Sequence, residues 1–144
     1  MYSDVIAELA PSGILRAGIN LANIFLVTGK SEDGIPEGVS PDIARAIADR
    51  LGVKVSYVPC ETPGGTAEAI KKEACDIAMI ADEPARAEFI SFTEPYVEIE
   101  ATYIVPEGSS FQTCEDVDQS GVRIAVSGTS AYDLFLTRSL NHAE

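Results

Sequence analysis

Apolar residues follow two rhythms along this chain, and the rhythms alternate. Near-continuous runs fall at 14–19 (Ile14, Leu15, Ala17, Ile19), 53–58 (Val53, Val55, Tyr57, Val58) and 77–81 (Ile77, Ala78, Met79, Ile80, Ala81). Runs of this length, rich in β-branched residues, read as strands covered on both faces. Between the first two, Ile43, Ala44, Ile47, Ala48 and Leu51 repeat at helical spacing. Ser40 is expected to N-cap that helix, with Pro41 at its first position and Asp42 against its positive end; Gly52 is the expected stop. A second helix is expected from 63 to about 73. A short amphipathic one, carrying Val5, Ile6 and Leu9, starts at Ser3 and ends at Pro11-Ser12-Gly13. Strands alternating with helices predict an α/β fold with a parallel-rich sheet flanked by helices.

The pattern continues past Tyr96. Residues 100–105 predict a strand, 106–110 (Pro-Glu-Gly-Ser-Ser) a linker, and 121–126 another strand. A helix is expected from 131 to about 140, with Leu134 and Phe135 facing inward. Residues 30–36 predict a polar turn.

Candidate chemistry concentrates in 76–96. The third apolar run gives way to Asp82-Glu83-Pro84 and then to Arg86, after which come Phe89, Ile90, Phe92 and Thr93-Glu94-Pro95-Tyr96. A planar guanidinium at the carboxyl end of a parallel strand suits a carboxylate ligand, because Arg donates in two parallel prongs and open α/β sheets bind ligands at that edge. The plainer alternative is an exposed arginine pairing with Glu83 or Glu88 around a solvated turn, with Asp82 capping it. Gly128, Thr129 and Ser130 open the last helix, where free N–H groups attract anions; simple helix capping explains them as well.

The stretch resembles the bacterial extracellular solute-binding proteins of family 3. The shared order is a strand ending Asp-aliphatic-aliphatic, a Pro-x-Arg turn, and Phe-Ser/Thr-x-Pro-Tyr, matched by Asp76, Pro84, Arg86, Phe92, Thr93, Pro95 and Tyr96. The helix carrying Asp42 is also similar to one of that family, with Val39 in place of an aromatic residue. The resemblance implies a periplasmic-binding-protein-like type II fold and a receptor of an ABC-type importer that binds an amino acid or similar small carboxylate between two lobes. It puts the ligand carboxylate on Arg86, on the amide near Ala81 and on the amides of Gly128, Thr129 and Ser130. It places Asn23 and Phe25 in the first binding loop, 20–26, although Phe25 reads equally well as core. Two residues fewer than usual precede the turn, which leaves the ligand class open.

By the same resemblance, 1–105 is lobe one, while 106–144 holds the crossover and the opening βα unit of a second lobe, as in a truncated receptor. Such a unit cannot bury its own apolar faces, so it is expected to pack against lobe one or to form a homodimer through 122–140. A self-associating interaction module without ligand is the main alternative function. The resemblance also implies a periplasmic or extracytoplasmic location. Met1 to Asp4 lack the basic and apolar regions of a secretory signal, which keeps a cytoplasmic location open.

Composition narrows the partners. The 144 residues, 46% of them hydrophobic and 23% charged, can build a globular core. A net charge of −13 argues against nucleic acid and anionic membranes as partners. Cys60, Cys75 and Cys114 are widely spaced and read as free thiols, not as a disulfide frame or metal site. No metal or cofactor motif is present, and 127–130 is not a nucleophile elbow. With His142 as the single histidine, near the end of the sequence, a non-enzymatic role is expected. Dehydratase chemistry, which also occurs on this fold, is the lesser alternative.

Overall fold

A computed structural model describes residues 2–144 of the chain. Its centre is strand β1 (Ile14–Asn20), flanked by β4 (Lys54–Cys60) on one side and β5 (Ile77–Met79) on the other, all parallel. Ile14 lies beside Lys54 and Asn20 beside Cys60, while Ala17 to Ile19 run beside Ile77 to Met79. The first two crossovers are α2 (Val39–Leu51), leading from β1 to β4, and α3 (Pro63–Lys71), leading from β4 to β5. They step across the sheet in opposite directions, so right-handed connections put one helix on each face.

That arrangement explains the unbroken apolar run of β1. Leu15, Ala17 and Ile19 are fully buried and pack with Ala44 and Ala48 of α2, together with Val55, Ile77 and Met79. Burying Leu15 and Ile19 contributes about 1.5–3 kcal/mol each. Gly18 is needed where it stands: a Cβ there would lie 2.9 Å from Cys75 Sγ and 3.2 Å from Ala78 Cβ. Helix α1 (Ser3–Leu9) closes the opposite end, with Ala10 and Leu9 against Leu15 and Ala48.

Several expectations are corrected. Helix α2 begins at Val39, capped by Gly38 at φ 132°, and Ser40 lies inside it, buried, with its Oγ 3.2 Å from the Tyr96 hydroxyl. Gly38 takes the cap because a side chain there would lie 2.6 Å from the Leu26 carbonyl oxygen. The polar turn at 30–36 is flanked by a small hairpin, β2 (Gly29–Lys30) with β3 (Pro36–Glu37). Strand β5 stops at Met79, two residues early. No strand forms at 100–105, where Ile104 is 99% exposed, and no N–H from 91 to 108 donates to a backbone carbonyl. A strand exists only through a paired neighbour, and none lies alongside this segment.

No strand forms at 121–126 either; the segment keeps two backbone hydrogen bonds, from the Ile124 N–H to the Glu144 carbonyl and from the Glu144 N–H to the Val122 carbonyl. Helix α5 (Ala131–Ser139) follows a 3₁₀ turn (Glu115–Val117) and buries none of its residues fully; Phe135, expected inward, is 54% exposed. The turn at 141–143 is held by the Asp118 carboxylate, which accepts the N–H groups of Asn141, His142 and Ala143 at 2.8–3.2 Å. Those three donors pull its pKa down to about 2. Among the described residues, no helix is long and apolar enough to cross a membrane.

Candidate functional site

The carboxyl ends of β1, β4 and β5 converge on one edge, and the groups that follow them build the site. After β4, Thr62 caps α3 by accepting the Gly65 N–H at 3.0 Å. After β5, an extended Glu83 at φ −150° leads into the single turn α4 (Pro84–Ala87), with proline at its start. The turn points Arg86 back toward the sheet, and the residue is buried at 3% exposure. Its Nη1 donates to the Ala81 carbonyl at 3.0 Å and its Nη2 to the Thr129 carbonyl at 3.1 Å. The other three of its five N–H donors find no acceptor among the described residues.

Arg86 forms no ion pair among the described residues. The nearby carboxylate, Glu83, is engaged elsewhere: Arg138 of α5 donates to both of its oxygens at 2.8 and 3.1 Å. Burial therefore lowers the Arg86 pKa from its ordinary value, with only partial opposition from the charge of Glu83. A desolvated cation with donors to spare can hold a carboxylate or another planar anion.

The surface-turn alternative for this segment is overturned on two points. Arg86 is neither exposed nor paired with Glu83 or Glu88, and Glu83, read as part of a solvated turn, is 4% exposed. Asp82 is exposed and does not cap α4.

The remaining candidates fall in three places. Ala81 is exposed and meets Arg86 through its carbonyl. Asn23 and Phe25 sit in the loop after β1, where the Asn23 side chain accepts the Phe25 N–H at 3.3 Å and the Phe25 ring is 71% exposed. The 127–130 turn brings Thr129 to the sheet edge with φ 59°. Its N–H is taken by Asp133 at 2.7 Å, and Ser130, buried, caps α5 by accepting the Asp133 N–H at 3.1 Å. Gly128 is exposed, and its carbonyl accepts the Thr129 hydroxyl at 2.6 Å. The structure thus joins Ala81, Arg86 and Thr129, whereas Asn23 and Phe25 make no hydrogen bond to that group.

Sequence reasoning missed Gly64, Glu83 and Arg138. Gly64, in the first turn of α3, is where Thr129 rests: a Cβ on Gly64 would fall 2.0 Å from Thr129 Oγ1 and 2.8 Å from its Cβ. The only hint in sequence is the glycine pair following Pro63. No local pattern links Glu83 to Arg138, 55 residues away. Two surface hollows lie away from Arg86, one beside Leu21, Val27 and Thr28, the other beside Ile124, Leu136 and Leu140.

A parallel sheet flanked by helices, as here, is the architecture of the type II periplasmic binding proteins. The chain belongs to the bacterial extracellular solute-binding proteins, family 3, whose model matches residues 25–138. It is 30% identical over 140 residues to a cyclohexadienyl dehydratase of Pseudomonas aeruginosa, covering 94% of this chain and 52% of that one. It is 25% identical over 107 residues to the amino-acid-binding protein AabA of Dichelobacter nodosus, covering 73% and 42%. The crystal structure of the ancestral amino acid-binding protein AncCDT-1, a precursor of cyclohexadienyl dehydratase, superposes with a TM-score of 0.75 at 26% identity, covering 97% of this chain and 63% of that one. The chain thus spans about half the length of the curated relatives it matches.

Proposed function

We propose that this protein is the binding part of an amino-acid receptor, with lobe one at 1–105 and the crossover and opening of lobe two at 106–144. Arg86 takes the ligand carboxylate, and the complete receptor delivers its solute to an ABC permease outside the cytoplasm. The observation that carries this reading is a buried guanidinium with no carboxylate of its own, at the edge where parallel sheets bind ligands. Two of its donors are held by backbone, which fixes its orientation, and three remain for an incoming carboxylate. The relatives named as amino-acid-binding support the ligand class. Gly128, Thr129 and Ser130 line the second-lobe side of the cleft, and Asn23 and Phe25 the side-chain end.

Two other readings each have an observation behind them. Helix α5 buries no residue fully and exposes Tyr132 and Phe135, as a self-associating module paired through 122–140 requires. The dehydratase relative points to turnover on the same fold. Thermal-shift titration with a panel of L-amino acids separates them. Stabilisation by one amino acid that vanishes in Arg86→Ala supports the receptor. Flat curves with a concentration-dependent dimer sink it in favour of the module, and turnover of prephenate or arogenate would favour the enzyme.

A further inference from the structure

The turn at 127–130 does not merely face Arg86; it occupies it. Thr129 rests on the backbone of α3 at Gly64, closer than any side chain on that residue allows, and its carbonyl takes the Arg86 Nη2. Its own N–H is turned inward to Asp133, so the turn presents an acceptor to the guanidinium where an anion receptor would present donors. One helical turn pair further on, Arg138 reaches across to the buried Glu83, at the N-terminal end of the same short helix that carries Arg86. Two contacts from one side of the chain thus grip both ends of α4.

From this we infer that the 127–130 turn is a self-capping gate, with Arg138–Glu83 as its latch, which competes with the ligand for Arg86. The inference rests on the receptor reading for what the gate excludes, but its mechanics do not. With Arg86 only 3% exposed and Thr129 seated beside it, a carboxylate reaches the three unused donors only after the turn has moved aside. The measured affinity is then the intrinsic affinity reduced by the fraction of molecules with the turn lifted. Gly64 sets that fraction. Its backbone has no positive φ, so its lack of a side chain serves the close approach of Thr129 and not the helix. Alanine at this site would by itself favour α3.

The test reads Arg86 directly, without a ligand. Phenylglyoxal modification of the full chain, followed by peptide mass mapping, gives the rate at each arginine. In the wild type, Arg86 is expected to react roughly tenfold or more slowly than the exposed Arg123, in line with protection by local structure. Gly64→Ala, which pushes Thr129 away, is expected to raise the Arg86 rate toward that of Arg123 without lowering the melting temperature. Arg138→Ala, which removes the latch from the other side, is expected to raise it too. An Arg86 rate that is fast in the wild type, or unchanged in both variants, overturns the gate. L-amino acid titration of the same proteins keeps the two readings apart. If Gly64→Ala frees Arg86 and no amino acid binds either form, the gate stands and the receptor fails. If an amino acid binds the wild type and Gly64→Ala changes neither its affinity nor the Arg86 rate, the receptor stands and the gate fails.

Discussion

Asp76 clamps the entry of β5 to β1, and its replacement by alanine has a calculable cost. The carboxylate, 11% exposed, accepts the main-chain N–H of Arg16 at 2.8 Å. It also receives the Arg16 Nε and Nη2, while Nη1 of the same side chain reaches the Glu73 carbonyl at 2.9 Å. The Asp76 N–H returns a bond to the Arg16 carbonyl at 2.8 Å. Losing a charged acceptor that serves a buried main-chain donor costs about 1.5–3 kcal/mol. The guanidinium contacts add about 0–1 kcal/mol, because the Arg16 side chain is 43% exposed and water replaces the lost partner. Asp76→Ala is therefore expected to destabilise by about 3 kcal/mol, which for a chain of this size lowers Tm by about 9 °C.

Acid supplies an internal control for the same pair. Burial alone would raise the Asp76 pKa, but the hydrogen bonds and charge of Arg16 outweigh it and leave the carboxyl below its ordinary 3.8. A depressed carboxyl stabilises the fold above its unfolded pKa and loses that stabilisation as pH falls through the folded value. Thermal melts followed by circular dichroism at pH 7, and then stepwise down through pH 3, should show the wild type converging on Asp76→Asn, the uncharged isostere. A Tm difference for Asp76→Ala below about 1 °C at pH 7, or a gap to Asp76→Asn that does not close in acid, refutes the clamp.

Asp118 gives a second acid-sensitive contact, on the opposite side of the chain. Its pKa is lowered to about 2 from 3.8, so its hold on the 141–143 turn is present above about pH 4 and lost as pH falls through about 2; the protection of the His142 and Ala143 amides, taken relative to their intrinsic exchange at each pH, should fall over that window, and Asp118→Ala should show no such protection at any pH. Thiol chemistry should distinguish the cysteines. Burial pushes Cys75 up to about 11, and Cys60 is also buried, so iodoacetamide at pH 8 should alkylate the exposed Cys114 alone; a second adduct of comparable rate would mean that the sheet opens far more readily than its packing implies.

The sheet was readable because its signal is local and redundant. Leu15, Ala17 and Ile19 announce a strand covered on its α2 face, Ile43 to Leu51 announce the helix that covers it, and Gly52 adopts the left-handed stop at φ 72°. The misread elements depend on distant partners. Residues 100–105 have strand composition but no strand beside them, and Ser40 looked like a cap until Gly38, forced by the Leu26 carbonyl, took the position. The site divides in the same way. Arg86 stood out through its turn and its acidic surroundings, whereas the Glu83–Arg138 pair and the seat of Thr129 on Gly64 arise only from the fold.

The long stretch without backbone pairing also matters for how the two sides of the chain stay together. From 91 to 108 the Ser40–Tyr96 hydroxyl contact is the side-chain tie back to α2, and so the segment is where a protease should cut first. Cleavage there would turn the Thr129 and Arg138 contacts from intramolecular into bimolecular ones. An uncut flexible tether holds its ends at an effective concentration of about millimolar. A docking too weak to survive dilution as separate fragments is thus sustained by covalent connection alone.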